Sequence, residues 1–225
     1  MSKQLSKEDL EEDLLVEYSS RILHFYQENK STVIGGGSGL VIALGLIFGY
    51  FFYSGQQSKT AEQLMVQAET LYRAGSFEQA LYGDDASFTV GFVQIAGNYG
   101  STDAGNLAHY YAASSYAELR QYEEALSEIE KYKAPKGILG VAPRALHALI
   151  LSEVGLFEMA AKKYEEAANL VDNESTTPVY LLSAARAYLE AGDPAKAEVL
   201  LDRIIANFRN SQYASSAQNI KGRIG

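Results

Sequence analysis

The chain contains no cysteine among its 225 residues. That absence excludes a disulfide framework, a thiol nucleophile and a cysteine-built zinc site. His109 and His147 have no neighbouring carboxylate pair at the spacing of a metal site. No Ser/His/Asp grouping has the sequence context of an activated nucleophile. We therefore expect no catalytic residue, no metal and no cofactor, and a protein that is not an enzyme.

An excess of basic residues is also lacking, since 19 Lys and Arg face 28 Asp and Glu, for a net charge of −9. Without a basic stripe to release counterions from a phosphate backbone, nucleic-acid binding is not expected. A glycine-rich stretch at residues 35–39 has neither the lysine nor the GK[ST] ending of a phosphate-binding loop. Nucleotide binding is therefore not expected either.

Residues 33–53 carry no charge at all, and read VIGGGSGLVIALGLIFGYFFY. As a helix this stretch is about 31 Å long, which matches the hydrocarbon thickness of a bilayer. A cleaved signal peptide fits poorly, because the preceding tail is long and acidic and no Ala-x-Ala site follows. The sequence predicts a retained transmembrane helix at residues 33–54, with the lipid bilayer as its surroundings.

The tail, residues 1–32, has an apolar stripe formed by Leu10, Leu14, Tyr18, Ile22 and Phe25. This spacing predicts an amphipathic helix, which lies on the membrane surface, packs on a partner or has no specific ligand. Lys and Arg are balanced around the anchor and do not decide its orientation. We expect the common arrangement, with the short tail in the cytoplasm and the larger domain translocated.

One side of the predicted anchor carries small residues within a stripe about 160° wide. They are Gly35, Ser38, Gly39, Ala43, Gly45 and Gly49. In lipid, close backbone contact along small residues is a main source of helix association. We interpret the stripe as a contact surface for another membrane helix.

After the anchor one pattern returns four times: Ala, an apolar or Tyr residue three positions on, usually Gly, then an aromatic or Pro, then Ala. The copies are Ala68-Leu71-Gly75-Phe77-Ala80, Ala113-Tyr116-Arg120-Tyr122-Ala125, Ala148-Leu151-Gly155-Phe157-Ala160 and Ala185-Tyr188-Gly192-Pro194-Ala197. The closing alanines are 45, 35 and 37 residues apart. A period near 34 with this content is typical of tetratricopeptide repeats, which stack helix–turn–helix units into a solenoid that binds other proteins.

The pattern predicts an all-α fold, with about four such repeats in residues 55–225 after a polar linker at 54–60. Second helices are predicted at 157–170 and 194–207, and a closing helix at 213–220. The first repeat is interrupted by an insertion at 83–105, with a short helix at 88–98. This insertion either forms part of a binding face or adjusts local packing.

The first helix of each repeat usually lines the concave face of such a solenoid, and these positions form a mostly apolar groove. The candidate protein-binding residues are Met65, Tyr72, Tyr110, Ser114, Leu149, Leu182, Arg186 and Leu189. An apolar groove containing Tyr and Met suits apolar segments of client polypeptides. The alternative is that some of these side chains pack between repeats.

The whole layout resembles the YfgM-like single-pass membrane proteins with tetratricopeptide repeats. The stretch YGSTDAGNLAHYYA at 99–112 is similar to that family's entry into its second repeat, as is 167–181, which runs from AANL to PVYL. The resemblance implies an ancillary subunit of the Sec translocon in the bacterial inner membrane. Its repeat domain would lie in the periplasm and assist secreted or membrane client proteins together with periplasmic chaperones.

The sequence therefore favours a membrane-anchored scaffold for protein–protein interaction and protein transport, most simply at the Sec translocon. An accessory subunit of another inner-membrane or envelope-biogenesis complex is the first alternative. An enzyme with a site in the insertion, at Asp84, Asp85 or Asp103, is the second.

Overall fold

The protein is all-helical, as the sequence predicts. The computed structural model describes the backbone of residues 7–224 and the side chains of residues 16–32 and 34–224. Within that range the chain forms eleven α-helices and no strand. The helices are α1 (Lys7–Glu28), α2 (Lys30–Arg73), α3 (Phe77–Tyr82), α4 (Phe92–Tyr99), α5 (Asp103–Glu118), α6 (Tyr122–Lys131), α7 (Val141–Glu153), α8 (Phe157–Leu170), α9 (Thr177–Glu190), α10 (Pro194–Asn207) and α11 (Gln212–Ile224).

The chain divides into two compact units, Met1–Gly55 and Gln56–Gly225. In the first unit, α1 carries Tyr18, Ile22 and Phe25 as exposed apolar side chains, while Leu10 and Leu14 lie outside the described side chains. Helix α2 is long and apolar enough to span a membrane, by length and composition. All described side chains of residues 34–53 are exposed.

The polar linker predicted at residues 54–60 is wrong. Helix α2 runs without a break from Lys30 to Arg73. Gln56, Gln57 and Lys59 are good helix formers, and Gly55 is the one strongly unfavourable residue for a helix there. Polarity alone therefore does not end this helix.

The third position of every motif copy forms a tight turn between two helices. Gly75, Arg120, Gly155 and Gly192 all have positive φ, between 59° and 81°. At each turn this residue's N–H donates to the carbonyl three residues back, and the next N–H donates to the carbonyl five residues back. This paired pattern caps the end of a helix and favours glycine. The sequence prediction that the Gly ends the first helix is confirmed, and Arg120 occupies the same conformation.

The eight alanines that open and close the four motif copies are all 0% exposed. Their small side chains allow the helices that carry them to approach closely. Each helix from α3 to α11 packs on the next one, and further contacts join α3 to α5, α5 to α7 and α9 to α11. The second unit thus has two apolar cores, one around Phe92 and Tyr116 and one around Leu181 and Leu201.

Part of the segment predicted as an insertion belongs to the core. After the short helix α3, Asp84 and Thr89 exchange backbone hydrogen bonds, and the helix expected at 88–98 is formed as α4, beginning at Phe92. Phe92 and Ile95 are fully buried in the first core. Of the two interpretations of the insertion, a role in local packing fits α4. Phe88, in the loop before α4, is exposed.

Candidate protein-binding site

Helix α9 has one side that is buried in the second core and another side that borders two cavities. Its alanines 184, 185 and 187, together with Leu181 and Tyr188, face the second core. Arg186 and Glu190 are exposed, and Ser183 and Leu189 are half-buried. Since residues three and four positions apart share one face of a helix, these four side chains form a continuous polar and apolar edge.

The first cavity has a volume of about 230 Å³ and lies among α7, α8 and α9. It is lined by Ser152, Phe157, Tyr164, Ser183, Arg186, Ala187 and Glu190. The Tyr164 and Tyr180 rings stack with centroids 6.5 Å apart, and burial raises the pKa of the Tyr164 hydroxyl. This cavity therefore has an aromatic wall and a charged rim.

The second cavity, of about 450 Å³, lies between α9 and α11. Its lining is Arg186, Leu189, Glu190, Ile220, Arg223 and Ile224. Arg186 and Glu190 line both cavities, so the two adjoin along one face of α9. Together the two cavities form what is called the α9 groove below, which is lined by the eleven different residues of the two linings.

Contacts behind α9 hold this groove in place. The Tyr188 hydroxyl donates a 2.6 Å hydrogen bond to the Glu165 carboxylate of α8, and burial together with this carboxylate raises the pKa of Tyr188. At the start of α9, the buried Thr177 accepts a hydrogen bond from the Asn173 N–H and donates to the Val171 carbonyl. The walls of the groove are thus fixed by a satisfied polar network.

Two residues predicted to line a groove are core residues instead. Met65 is 3% exposed and belongs to the first core. Leu182 is 4% exposed and belongs to the second. Helix α9 packs against α8, α10 and α11, so apolar positions on several of its sides are covered. These two side chains are not accessible to a partner.

Three further predicted groove residues lie in an aromatic cluster of the first core. The Tyr72 hydroxyl is 2.8 Å from the Ser114 hydroxyl, and its ring meets Phe92 and Tyr111 edge-on. Tyr110 packs against Tyr111 and Tyr132, and burial raises the pKa of its hydroxyl. Tyr72 and Tyr110 are half-buried and Ser114 is buried. The cluster therefore packs against the first core and offers a partner only part of its surface.

The remaining predicted groove residues are accessible. Leu149 is 42% exposed on α7, while Arg186 and Leu189 line the α9 groove. The candidate residues predicted from the sequence do not include the large side chains Phe157, Tyr164, Ile220, Arg223 and Ile224, which also line the cavities. Their apolar spacing on α8 and α11 was visible in the sequence, but it does not tell which side chains border a gap between helices.

The small residues proposed as a membrane contact are all exposed. These are Gly35, Ser38, Gly39, Ala43, Gly45 and Gly49. A Cβ atom added at any of the four glycines meets no other atom within 4 Å, so the strip is open. The Ser38 hydroxyl donates to the Ile34 carbonyl at 2.7 Å, which satisfies it within its own helix. Their role as a contact stays a prediction.

A third cavity, of about 300 Å³, contains His147 of α7 with Arg144, Lys163 and Glu166 around it. Burial and the nearby Lys163 ammonium lower the pKa of His147. Lys163 pairs with Glu166 at 2.8 Å, and the Arg144 guanidinium donates to two backbone carbonyls. The charges that line this cavity are therefore largely occupied by structural contacts.

In comparisons with protein-family models, with curated proteins and with solved structures, no match to this chain was found.

Proposed function

We propose that this protein is a non-enzymatic, membrane-anchored tetratricopeptide-repeat scaffold that binds segments of other polypeptides in the α9 groove. The observation that carries the proposal is the pair of adjoining cavities on α9, with apolar walls and a charged rim. Clefts of this kind between packed helices receive extended or helical segments of partners.

The repeat architecture is supported by the local geometry of the four motif copies. Their alanines are fully buried, and their third residues adopt the same left-handed turn. Successive helices pack on their neighbours along the chain. These are the features expected of stacked helix–turn–helix units, each of which buries its apolar face only against the next unit.

The place of action in this proposal is the bacterial inner membrane. Helix α2 supplies the anchor, and the strip from Gly35 to Gly49 supplies a contact for an integral-membrane partner. The resemblance to YfgM-like proteins favours the Sec translocon as that partner, with the repeat unit in the periplasm beside emerging clients and chaperones. An accessory role at another inner-membrane complex is the alternative.

Site-specific photo-crosslinking in cells tests this function. A photo-reactive residue in place of Leu189, which lines the groove, should crosslink to exported polypeptides in transit, and translocon subunits should co-purify in mild detergent. Val199 on α10 is exposed and lies outside both linings, so it is the matched control and should give none of these products. Equal crosslinking from both positions would contradict a binding role for the groove. Co-purification of a different membrane complex would instead favour the alternative.

A further inference from the structure

The two arginines of the α9 groove stand out among the basic residues of helices α8 to α11. The other five are all paired: Lys162 with Glu158, Lys163 with Glu166, Lys196 with Asp193, Arg203 with Asn169 and Lys221 with Asp202. Arg186 and Arg223 form no hydrogen bond or ion pair with any residue that the structure describes. Both line the second cavity.

This arrangement gives the groove a definite charge preference. Glu190 is the one acidic side chain in the two linings, which contain two guanidinium groups. A guanidinium presents a planar fork of donors that matches a carboxylate, and such charge-assisted hydrogen bonds are strong. The lining thus complements an added negative charge beside Arg186, at the point where the cavities adjoin.

The apolar walls lie on either side of that point. Phe157 and Tyr164 line only the first cavity, and Leu189, Ile220 and Ile224 line only the second. In an extended polypeptide, side chains i−2, i and i+2 point to the same face, about 6.6 Å from one to the next. A segment of this kind can place an acidic residue at position i beside Arg186, with apolar residues at i−2 and i+2 on either side of it.

We propose that the α9 groove recognises an extended polypeptide segment with the pattern apolar-x-acidic-x-apolar, and that Arg186 reads the acidic residue. This rests on the proposed function, because it assigns a ligand class to the same groove. It adds a requirement for charge that a purely apolar binding surface does not have.

Fluorescence anisotropy with the full-length protein in detergent tests the proposal. The probe is a labelled peptide with the core Leu-Ser-Asp-Ser-Leu and blocked termini, and the comparison peptides carry Asn for Asp, or Ser for both Leu. We expect the Asp peptide to bind at least about tenfold more tightly than either, because a charge-assisted hydrogen bond and two apolar contacts are each lost in turn. Raised salt should weaken only the Asp peptide's advantage over the Asn peptide.

The variant Arg186→Gln should bind the Asp peptide about tenfold more weakly than the wild-type protein does, and its affinity for the Asn peptide should be unchanged. Arg209→Gln is the matched control, since Arg209 is exposed and lines neither cavity. Arg186→Glu should reverse the preference and favour a Leu-Ser-Lys-Ser-Leu peptide, an outcome that a misfolded protein cannot produce.

The outcomes separate the two proposals. Equal binding of the Asp and Asn peptides, with no effect of Arg186→Gln, would overturn the charge requirement and leave a groove that binds apolar segments. No binding of any peptide by the wild-type protein would overturn both.

Discussion

In the unit Met1–Gly55, Leu40, Phe48 and Phe52 are exposed, whereas in the unit Gln56–Gly225 the equally apolar Leu181, Phe92 and Ile204 are fully buried. Small residues differ in the same way. Gly39 and Gly45 face open space, while alanines such as Ala113 and Ala185 are 0% exposed. The second unit packs its apolar and small residues against one another, whereas the first unit leaves them exposed. Apolar and small residues therefore indicate a packed core in the second unit but an exposed helix surface in the first.

The largest effect on stability is expected at Leu182, which was predicted to line a binding surface but is buried in the second core. Leu182→Ala should lower the free energy of unfolding of the second unit by about 2–5 kcal/mol, because it leaves a cavity in a packed core. Leu149 is exposed on α7, so Leu149→Ala should change the free energy of unfolding by only about 0.5 kcal/mol. Urea denaturation followed by circular dichroism measures both. Similar losses for the two variants would show that Leu149 is also part of the core.

An intermediate effect is expected in the first unit, on association rather than folding. Replacing Gly39 and Gly45 together with Leu should reduce recovery of the integral-membrane partner about tenfold, equivalent to about 1.4 kcal/mol, because bulky side chains separate the helix backbones. The open space at both positions means that the chain itself accommodates the change. Leu40→Ala with Leu44→Ala, on the opposite side of the helix, is the control and should retain the partner.

Undiminished recovery of the partner with the double Leu variant would show that the tail or the second unit makes the contact. Loss of the protein from the membrane fraction would show that the anchor itself is damaged. Separating membrane and soluble fractions before the partner is recovered distinguishes these two outcomes.

The smallest effect concerns His147. Its pKa is lowered in the folded state by burial and by Lys163, so below the ordinary value of 6.5 the unfolded chain binds more protons than the folded chain. Stability should therefore fall as the pH falls through 6.5 towards the folded-state pKa, and it is fully retained above 6.5. In His147→Gln the decline over this range should be smaller. His24→Gln, which changes an exposed residue of the first unit, should leave the decline in the second unit as it is.

Much of the second unit's helical plan could be predicted from the sequence because local signals mark its boundaries. Helices α8 and α10 begin and end at the predicted residues, where a turn glycine precedes each start. The closing helix was placed correctly but is longer than predicted, running from Gln212 to Ile224. These features depend on backbone conformation and helix capping, which a short stretch of sequence specifies.

The candidate site was less predictable because exposure depends on neighbours far along the chain. Met65 and Leu182 occupy the helical faces that a repeat pattern assigns to a groove, yet α4 contributes Phe92 to the core that contains Met65, and three helices pack against α9. Periodicity gives the side of a helix but not what covers it. The same repeat pattern also assigned Arg186 and Leu189 to a groove, and these two residues line the second cavity.

The packing of each helix from α3 to α11 on its immediate successor also bears on how the second unit folds. Its contacts join segments that are close in sequence, so forming them closes only short loops and costs little chain entropy at each step. A chain of this kind can fold by adding one helix at a time to those already packed. While the polypeptide is still being made, each new helix after α3 therefore finds a packing partner in the helix before it, without waiting for the end of the chain.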